Sequence, residues 1–222
     1  EALLKSTGAS GVVIKGAGIQ VIYGPSVTIV KSNFEEFVEQ VRSGAIPESM
    51  VMGAEEKPAE EAPAKAETPK LKDVVLGAHM NGRMLLMTEV QDEAFASCAL
   101  GDGVAIEPSE GKLYAPADAT VVNVFDTKHA IGLAIGDEME LLLHVGIDTV
   151  KLGGKHFEAH VKEGQEVKKG DLLVSFDMDA IKKEGYLCTT PMIVCNTDEY
   201  SSIKPLVTGE VKAGQNLLDV KG

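Results

Sequence analysis

Residues 126–152, DTKHAIGLAIGDEMELLLHVGIDTVKL, constrain the fold most, because they are typical of a β-hairpin. Two apolar runs, HAIGLAI and EMELLLH, flank the dipeptide Gly136-Asp137. A glycine there supplies the positive φ that a two-residue hairpin turn requires. With that turn as the loop, His129 faces His144 across the strands, and directly opposed Cβ atoms lie about 4.5–5.5 Å apart. The sequence therefore predicts two imidazoles on one patch of sheet surface.

The rest of the region 71–222 has a sequence pattern that also favours β-strands. Short runs of Val, Ile and Leu alternate with Gly, Asp, Asn and Pro, which is typical of an all-β domain. The segments 166–176 (EVKKGDLLVSF) and 210–220 (EVKAGQNLLDV) share a strand, a Lys-x-Gly turn and a second strand. Such a repeat predicts a sandwich or barrel built from duplicated pieces. Only MDAIKKEG and DEAFAS favour a turn or so of helix.

The composition changes before this region. Residues 43–70 are rich in Ala, Pro, Glu and Lys and lack aromatic residues, which predicts an extended, flexible linker. Residues 1–42 contain an apolar run, GVVIKGAGIQVIYG, followed by SNFEEFVEQVR with apolar residues at helical spacing. We therefore expect three parts: a small α/β fragment at 1–42, a linker at 43–70 and the main domain at 71–222.

Charge and cysteine content exclude several classes of function. The net charge is −13, with 34 acidic and 21 basic residues, so nucleic acid is excluded as a ligand and a partner with a basic face is favoured. Cys98, Cys188 and Cys195 form no CxxC pair and are odd in number, which argues against a disulfide framework and against a zinc ribbon. No apolar run approaches the ~20 residues of a membrane span.

The histidine pair leaves three interpretations open from the residues alone. The first is two ordinary structural histidines. The second is a zinc site, for which Asp148, His156 and His160 supply further candidate ligands. His156 and His160, however, alternate with apolar residues in HFEAHV and are expected on the outer face of a strand.

The third interpretation is phosphoryl transfer through histidine. A neutral imidazole nitrogen is a competent nucleophile, and a second imidazole and a hydroxyl can donate hydrogen bonds to the transferring oxygens. Thr127, two residues before His129, supplies that hydroxyl. An apolar surround would keep water from hydrolysing the P–N bond.

Four blocks, GDGVAIEPSEGKLYAPADATV, TKHAIGL, ELLLHVGIDTVKLGGKHFEAHVKEGQEVKKGDLLVSFD and TPMIVCNTDEY, resemble the enzyme IIA domain of the glucose family of the bacterial sugar phosphotransferase system. The resemblance covers about residues 72–221 and implies an antiparallel β-sandwich of the duplicated hybrid-motif type. It implies that His144 is phosphorylated, that His129 is the second imidazole, and that Thr127 is its hydroxyl partner. Asp92, in VQDEAF, and Asp148, in GIDTV, would bind the phosphodonor's arginine.

The resemblance also implies partners. The donor would be the histidine phosphocarrier protein HPr, the acceptor a cysteine of a IIB domain, and the sugar would be transported by a membrane IIC domain. No cofactor is required, and the location would be cytoplasmic, at the cytoplasmic face of the membrane within a longer chain. The alternative is a zinc-dependent hydrolase of the related peptidase sandwich fold, which would call for a His-x-His pair that the sequence lacks. The sequence does not indicate which sugar is transported.

The N-terminal segment LLKSTGASGVVIKGAGIQVIYGPSVTIVKSNFEEFVEQ resembles the second half of a IIB domain. None of the three cysteines lies in the Cys-Ile-Thr-Arg-like block of that family's first half, so we expect a truncated IIB fragment from a longer transporter chain, or a natural remnant. Within the IIA-like region, Ala119 replaces a usual glycine, and His79 and Gln91 replace common prolines. We expect turn strain of ~1 kcal/mol at Ala119.

Overall fold

The computed structural model describes residues 11–15, 18–22, 73–136 and 139–222. The first two ranges form strands β1 (Gly11–Lys15) and β2 (Gly18–Ile22), which pair antiparallel as the apolar run predicts. The expected helix within SNFEEFVEQVR and the expected linker at 43–70 lie outside the described residues. Among the described residues, no helix has the length and apolar character needed to cross a membrane.

The described part of the main region is predominantly β-structure. Its strands are β3 (Val74–Gly77), β4 (Gly82–Leu86), β5 (Asp102–Pro108), β6 (Lys112–Tyr114), β7 (Ala119–Val124), β8 (Ala130–Ile135), β9 (Met139–His144), β10 (Phe157–Ala159), β11 (Glu166–Val167), β12 (Leu172–Phe176), β13 (Thr190–Val194), β14 (Ser202–Pro205), β15 (Gly209–Val211) and β16 (Asn216–Lys221). Helices α1 (Glu93–Ala96) and α2 (Met178–Lys183) lie in the two segments that favoured helix. Three-residue or four-residue 3-10 turns cover Met87–Glu89, Thr149–Leu152 and Thr197–Glu199.

The sheet order shows that the domain is a duplication. An eight-stranded sheet runs β11-β7-β8-β9-β13-β5-β4-β15, and two three-stranded sheets run β10-β12-β6 and β14-β16-β3. Reading inward from the two edges, β11 corresponds to β15, β7 to β4, β8 to β5 and β9 to β13, so the order is that of two interlocked copies of one unit. Every strand pairing in the described residues is antiparallel. The predicted antiparallel β-sandwich is therefore confirmed.

The two sequence repeats occupy equivalent places in this duplication. In each, the strand after the turn carries a register shift that begins at the seventh residue of the repeat, Leu172 in β12 and Asn216 in β16. Each turn contains a glycine with positive φ, Gly170 at 94° and Gly214 at 81°. An L side chain rarely adopts that conformation, so glycine suits both turns. The repeat seen in the sequence is thus a repeat of strand, turn and bulge.

The hairpin of β8 and β9 forms, but its turn differs from the expected one. Ile135 pairs with Met139, so the loop has three residues, and Ala130 pairs with His144. The prediction of a two-residue turn, with His129 directly opposite His144, was therefore wrong. Gly136 has the expected positive φ of 60°, but a left-handed residue serves three-residue loops as well as two-residue ones. The register is shifted by one residue as a result.

The central strands of the eight-stranded sheet, such as β13, are buried on both faces, which explains their nearly continuous apolar sequences. On its inner face, side chains such as Leu143 and Met192 join the main core shared with the small sheets. On its outer face, neighbouring side chains such as Leu142 and Ile193 pack with Phe95 of α1 in a second cluster. The members of this outer cluster are Leu85, Met87, Val90, Phe95, Ala105, Ala130, Leu142, Ile147, Ile193 and Cys195.

Two of the replaced residues have clear structural settings. His79 is fully buried, and its carbonyl accepts from Tyr114 N at 2.8 Å, just as the carbonyl of Pro116 accepts from Gly77 N at 2.7 Å. His79 therefore takes the place that a proline holds in the other copy. Ala119 begins β7 and is absent from the residues with positive φ, so the strain expected there does not arise. That prediction was wrong because the position is extended rather than left-handed.

Candidate functional site

The two imidazoles meet at the edge of the outer cluster. His144 ends β9 and is half-buried, and His129, just before β8, is only 4% exposed. Their ring centroids lie 4.7 Å apart with the planes at 87°. The register shift does not separate them, because His129 precedes the strand and follows Lys128, whose φ is 56°. The alternation of side chains between faces holds only within a regular strand.

A backbone carbonyl fixes the tautomer of His144. The Nδ1 atom lies 2.8 Å from Gly146 O, and since a carbonyl only accepts, Nδ1–H is the donor. In a neutral ring the lone pair then resides on Nε2. Gly146 has a φ of 76°, and a Cβ atom added there would lie 2.5 Å from Thr149 Cγ2 and 2.6 Å from Leu187 O. The turn therefore requires glycine for both its conformation and its space.

The second ring is held by the predicted hydroxyl. Thr127 Oγ1 lies 2.5 Å from His129 Nδ1. A hydroxyl can donate or accept, so this contact alone is compatible with either tautomer of the ring. The backbone of Thr127 is packed against Gly154, whose added Cβ would lie 3.5 Å from Thr127 Cα. The Gly153-Gly154 turn after the hairpin thus supports the loop that carries Thr127.

The electrostatics of the site keep both rings neutral. Burial, with a smaller contribution from the adjacent His144, lowers the pKa of His129 to about 3. Burial also lowers the pKa of His144, although the hydrogen bond to Gly146 and the carboxylates of Asp92 and Asp148 act in the opposite direction. Neutral imidazole is the form that has a free lone pair and acts as a nucleophile.

Two phenylalanines flank the pair. Phe95 of α1 lies edge-on to His144, with ring centroids 5.1 Å apart, and Phe125 lies edge-on to His129 at 5.7 Å. Phe95 is buried and Phe125 is half-buried. These rings provide the apolar surround that limits access of water to the two imidazoles.

The predicted acidic residues lie near His144, and each already has a partner within the domain. Asp92 is the N-cap of α1, and its Oδ1 accepts from Ala94 N at 2.9 Å and Phe95 N at 3.2 Å. Asp148 Oδ2 accepts from Lys151 Nζ at 2.6 Å, and both side chains are more than half exposed. Burial lowers the pKa of His144 overall, and each of these two carboxylates partly opposes that lowering. Both negative charges therefore act on the ring.

The other candidate ligands have different partners. His156 Nε2 lies 3.2 Å from Glu184 Oε1, and the exposed His160 has its Nε2 2.8 Å from Ser175 Oγ. The expectation that His160 lies on the surface is confirmed, while His156 is half-buried. Within residues 73–136 and 139–222, no three His, Cys, Asp or Glu side chains are grouped to hold a metal ion. Nothing in this part of the chain supports the zinc hydrolase alternative.

Comparison with known proteins assigns the family. Residues 74–200 match the profile described as "phosphoenolpyruvate-dependent sugar phosphotransferase system, EIIA 1". The chain belongs to this family. The resemblance seen in the four sequence blocks is therefore confirmed, and residues 74–200 are part of a IIA domain.

Curated relatives of the IIA domain are larger proteins. The chain is 38% identical over 211 residues to the PTS system glucose-specific EIICBA component of Streptococcus pneumoniae serotype 4, which covers 94% of this chain and 28% of that protein. It is 44% identical over 164 residues to the PTS system beta-glucoside-specific EIIBCA component of Dickeya chrysanthemi, covering 74% of this chain and 26% of that protein. The chain thus spans just over a quarter of the length of these relatives.

A solved structure supports the fold of the IIA domain. The glucose permease IIA from Mycoplasma capricolum is 36% identical, with a TM-score of 0.63, and the match covers 67% of this chain and 96% of that chain. Almost the whole of that protein therefore corresponds to part of this one.

Four contributors to the site of the IIA domain were not predicted from the sequence: Phe95, Phe125, the Gly146 carbonyl and Thr149. Phe95 and Phe125 lie in the quoted blocks or beside them, but spacing alone does not indicate which imidazole each contacts. The Gly146 carbonyl and the buried Thr149 lie within HVGIDT, and both contacts are within five residues of His144. A glycine two residues after the histidine was the one available signal, since a left-handed turn would direct its carbonyl back toward the ring.

Proposed function

We propose that the IIA domain accepts a phosphoryl group from phospho-HPr on Nε2 of His144 and passes it to the cysteine of a IIB domain. The observation that carries this proposal is the pair of neutral imidazoles in contact, with Nδ1 of His144 held by the Gly146 carbonyl. That hydrogen bond leaves Nε2 as the nucleophilic atom.

In the proposed step, the lone pair of His144 Nε2 attacks phosphorus as the P–N bond to the donor histidine breaks. The electron pair of the broken bond returns to the donor ring, and the phosphoryl group is retained as phosphohistidine. Thr127 donates its hydroxyl hydrogen to His129 Nδ1, which leaves Nε2–H of His129 to donate to a phosphoryl oxygen. Transfer to the IIB cysteine reverses the roles, with a thiolate as the attacking group.

The charge of the chain supports a basic donor. The net charge is −13, and Asp92 and Asp148 place negative charge beside His144. We propose that these two carboxylates bind an arginine of HPr, since an arginine–carboxylate contact is directional and is strengthened near a partly desolvated site.

The names of the relatives support IIB and IIC domains as further partners. One relative is an EIICBA component and another an EIIBCA component, and the first aligns with 94% of this chain. We propose a IIB fragment at 1–42, a linker at 43–70 and the IIA domain at 71–222, at the cytoplasmic face of a membrane transporter. One relative is named for glucose and the other for β-glucosides, so both are candidate sugars.

The test is phosphoryl transfer from phosphoenolpyruvate through purified enzyme I and HPr. We expect acid-labile label on the wild type and none on His144→Ala. His160→Ala is the matched control, because His160 is exposed and contacts Ser175. Equal labelling of His144→Ala and the wild type would reject His144 as the carrier, and an unlabelled wild type would reject the phosphocarrier function.

A further inference from the structure

The turn that follows His144 is held by a buried threonine. Thr149 is 0% exposed and begins the 3-10 turn Thr149–Leu152. Its Oγ1 donates to Val145 O at 2.5 Å, and Val145 is itself fully buried. The hydroxyl therefore satisfies a backbone carbonyl from which water is excluded. This bond closes the turn that contains Gly146.

The methyl group of the same threonine packs against Gly146. Thr149 Cγ2 lies 2.5 Å from the place where a Cβ atom at Gly146 would stand. Leu187 O lies 2.6 Å from the same place, and it accepts from Ile147 N at 3.0 Å. Thr149 and the Leu187 backbone thus fill the space that a side chain at Gly146 would need. The direction of its carbonyl depends on both neighbours.

We propose that Thr149 is a positioning residue that sets the tautomer of His144. Thr149 acts through the backbone: its hydroxyl donates to Val145 O, and its methyl group packs against Gly146. The Gly146 carbonyl then faces His144 Nδ1 at 2.8 Å and requires a proton there. Without the hydroxyl, Val145 O loses its hydrogen-bond donor and the peptide can rotate. The adjacent Gly146 carbonyl then also changes direction. The consequence for phosphoryl transfer rests on the proposed function, whereas the tautomer is a property of the unphosphorylated domain.

The variants separate the two groups of the side chain. Thr149→Val keeps the branched shape and loses the hydroxyl. Thr149→Ser keeps the hydroxyl and loses the methyl group. The control is Thr197→Val, because Thr197 Oγ1 donates to Val194 O at 2.6 Å, on β13, the strand that corresponds to β9 in the other copy. Thr197 Oγ1 also accepts from Asp102 N at 2.8 Å, so this variant sets an upper limit on the stability lost with such a hydroxyl.

The primary measurement is long-range ¹H–¹⁵N NMR of the imidazole nitrogens, at a pH where His144 is neutral. In the wild type we expect the Nε2 signal of His144 at the position of an unprotonated nitrogen. In Thr149→Val we expect the ratio of the Nδ1–H to the Nε2–H tautomer to fall about fivefold, the equivalent of one ordinary hydrogen bond. Thr149→Ser restores the wild-type ratio, and Thr197→Val leaves it unchanged. Urea unfolding of each variant records its loss of stability.

The proposal is overturned if Thr149→Val loses as much stability as Thr197→Val but keeps the wild-type tautomer ratio, since Thr149 is then only structural. It is also overturned if Thr149→Ser shifts the ratio as far as Thr149→Val, because the hydroxyl would then not be the determinant. The rate of labelling by phospho-HPr should fall with the fraction of the Nδ1–H tautomer. An unlabelled wild type would reject the phosphocarrier function, while the NMR result would still decide the role of Thr149.

Discussion

His129 and His144 are in edge-to-face contact, with ring centroids 4.7 Å apart, although the strand ladder pairs His144 with Ala130. His129 lies just before β8 and follows Lys128, whose φ is 56°, while its carbonyl still accepts from Val145 N at 2.6 Å. Burial lowers the pKa of both rings, and the adjacent His144 adds a smaller lowering at His129. Both rings stay neutral, and only one of them has its Nδ1 hydrogen fixed by a backbone carbonyl.

Removal of His129 should slow onward transfer more than it affects labelling. In His129→Ala the proposed Nε2–H donor to the phosphoryl group is lost, while the nucleophile His144 remains. We expect His144 to be labelled by phospho-HPr, and the rate of transfer to a purified IIB domain to fall about a hundredfold. The measurement is a rapid-quench chase of labelled domain into IIB.

His156→Ala is the control for this experiment, since His156 contacts Glu184 rather than the histidine pair. Its onward rate should equal that of the wild type. An onward rate for His129→Ala that also equals the wild-type rate would contradict the proposed role of His129.

Gly146→Ala should be far more harmful than a matched glycine substitution. Gly164 has a φ of 77°, close to the 76° of Gly146, but no atom lies within 4 Å of an added Cβ. Gly164→Ala should therefore cost only the left-handed penalty of about 1–2 kcal/mol in the free energy of unfolding. Gly146→Ala must in addition displace Thr149 or the Leu187 backbone, so we expect a further loss of at least about 2 kcal/mol and weak labelling of His144.

Urea unfolding followed by far-UV circular dichroism measures the free energy of unfolding of both variants. Tryptophan fluorescence does not serve here, since the chain has no tryptophan. Equal stability of the two alanine variants would show that the turn after His144 tolerates a side chain.

Some features of the fold and the site could be predicted from the sequence because their signals are local. The hairpin follows from two apolar runs around a glycine, and the duplication follows from the shared Lys-x-Gly turns. These signals are local, so the sequence carries them directly. The contact of His129 with His144 was expected from the wrong register, and the two rings meet although the ladder pairs His144 with Ala130.

Other parts of the site depend on long-range packing that no spacing reveals. Leu187 is 40 residues beyond Ile147 in the chain, yet its carbonyl accepts from Ile147 N and confines Gly146. Likewise, Phe95 meets His144 because the outer cluster brings α1 against the hairpin. Phe125, by contrast, lies four residues before His129 and meets it within the loop between β7 and β8. The family resemblance supplied the acidic residues, but not the ion pair of Asp148 with Lys151.

The Asp148–Lys151 pair leads to a prediction about binding of HPr. If Asp148 binds a donor arginine, Lys151 competes for the same carboxylate. Lys151→Ala should strengthen binding of HPr a few-fold, mainly through faster association, and Asp148→Asn should weaken it. Both effects should shrink at high salt because the two side chains are more than half exposed. Surface plasmon resonance at low and high salt measures the rates.

Lys168→Ala is the matched control, since Lys168 and Asp118 form another exposed pair, at the turn between β11 and β12. The affinity of Lys168→Ala for HPr should equal that of the wild type within experimental error. If Lys151→Ala weakens binding, Lys151 contributes to the interface and does not compete for Asp148.

The buried His79 should make the domain sensitive to acid. Its Nε2 lies 2.9 Å from Thr190 O, whereas Nδ1 has no hydrogen-bond partner in the described part of the chain. Burial lowers the pKa of His79 from the ordinary 6.5 to about 4. The unfolded chain therefore binds this proton more readily than the folded domain between those two values. The stability that depends on neutral His79 is complete above pH ~6.5 and is lost as the pH falls toward 4.

His79→Gln tests this prediction, because the amide keeps a donor for Thr190 O and does not titrate. Between about pH 7.5 and about pH 5, the free energy of unfolding of the wild type should fall by about 2 kcal/mol more than that of His79→Gln. Urea unfolding at the two pH values measures the difference. His160→Gln is the control and should follow the wild type, since His160 is exposed. Parallel losses for the wild type and His79→Gln would mean that other groups, such as His129, account for the acid sensitivity.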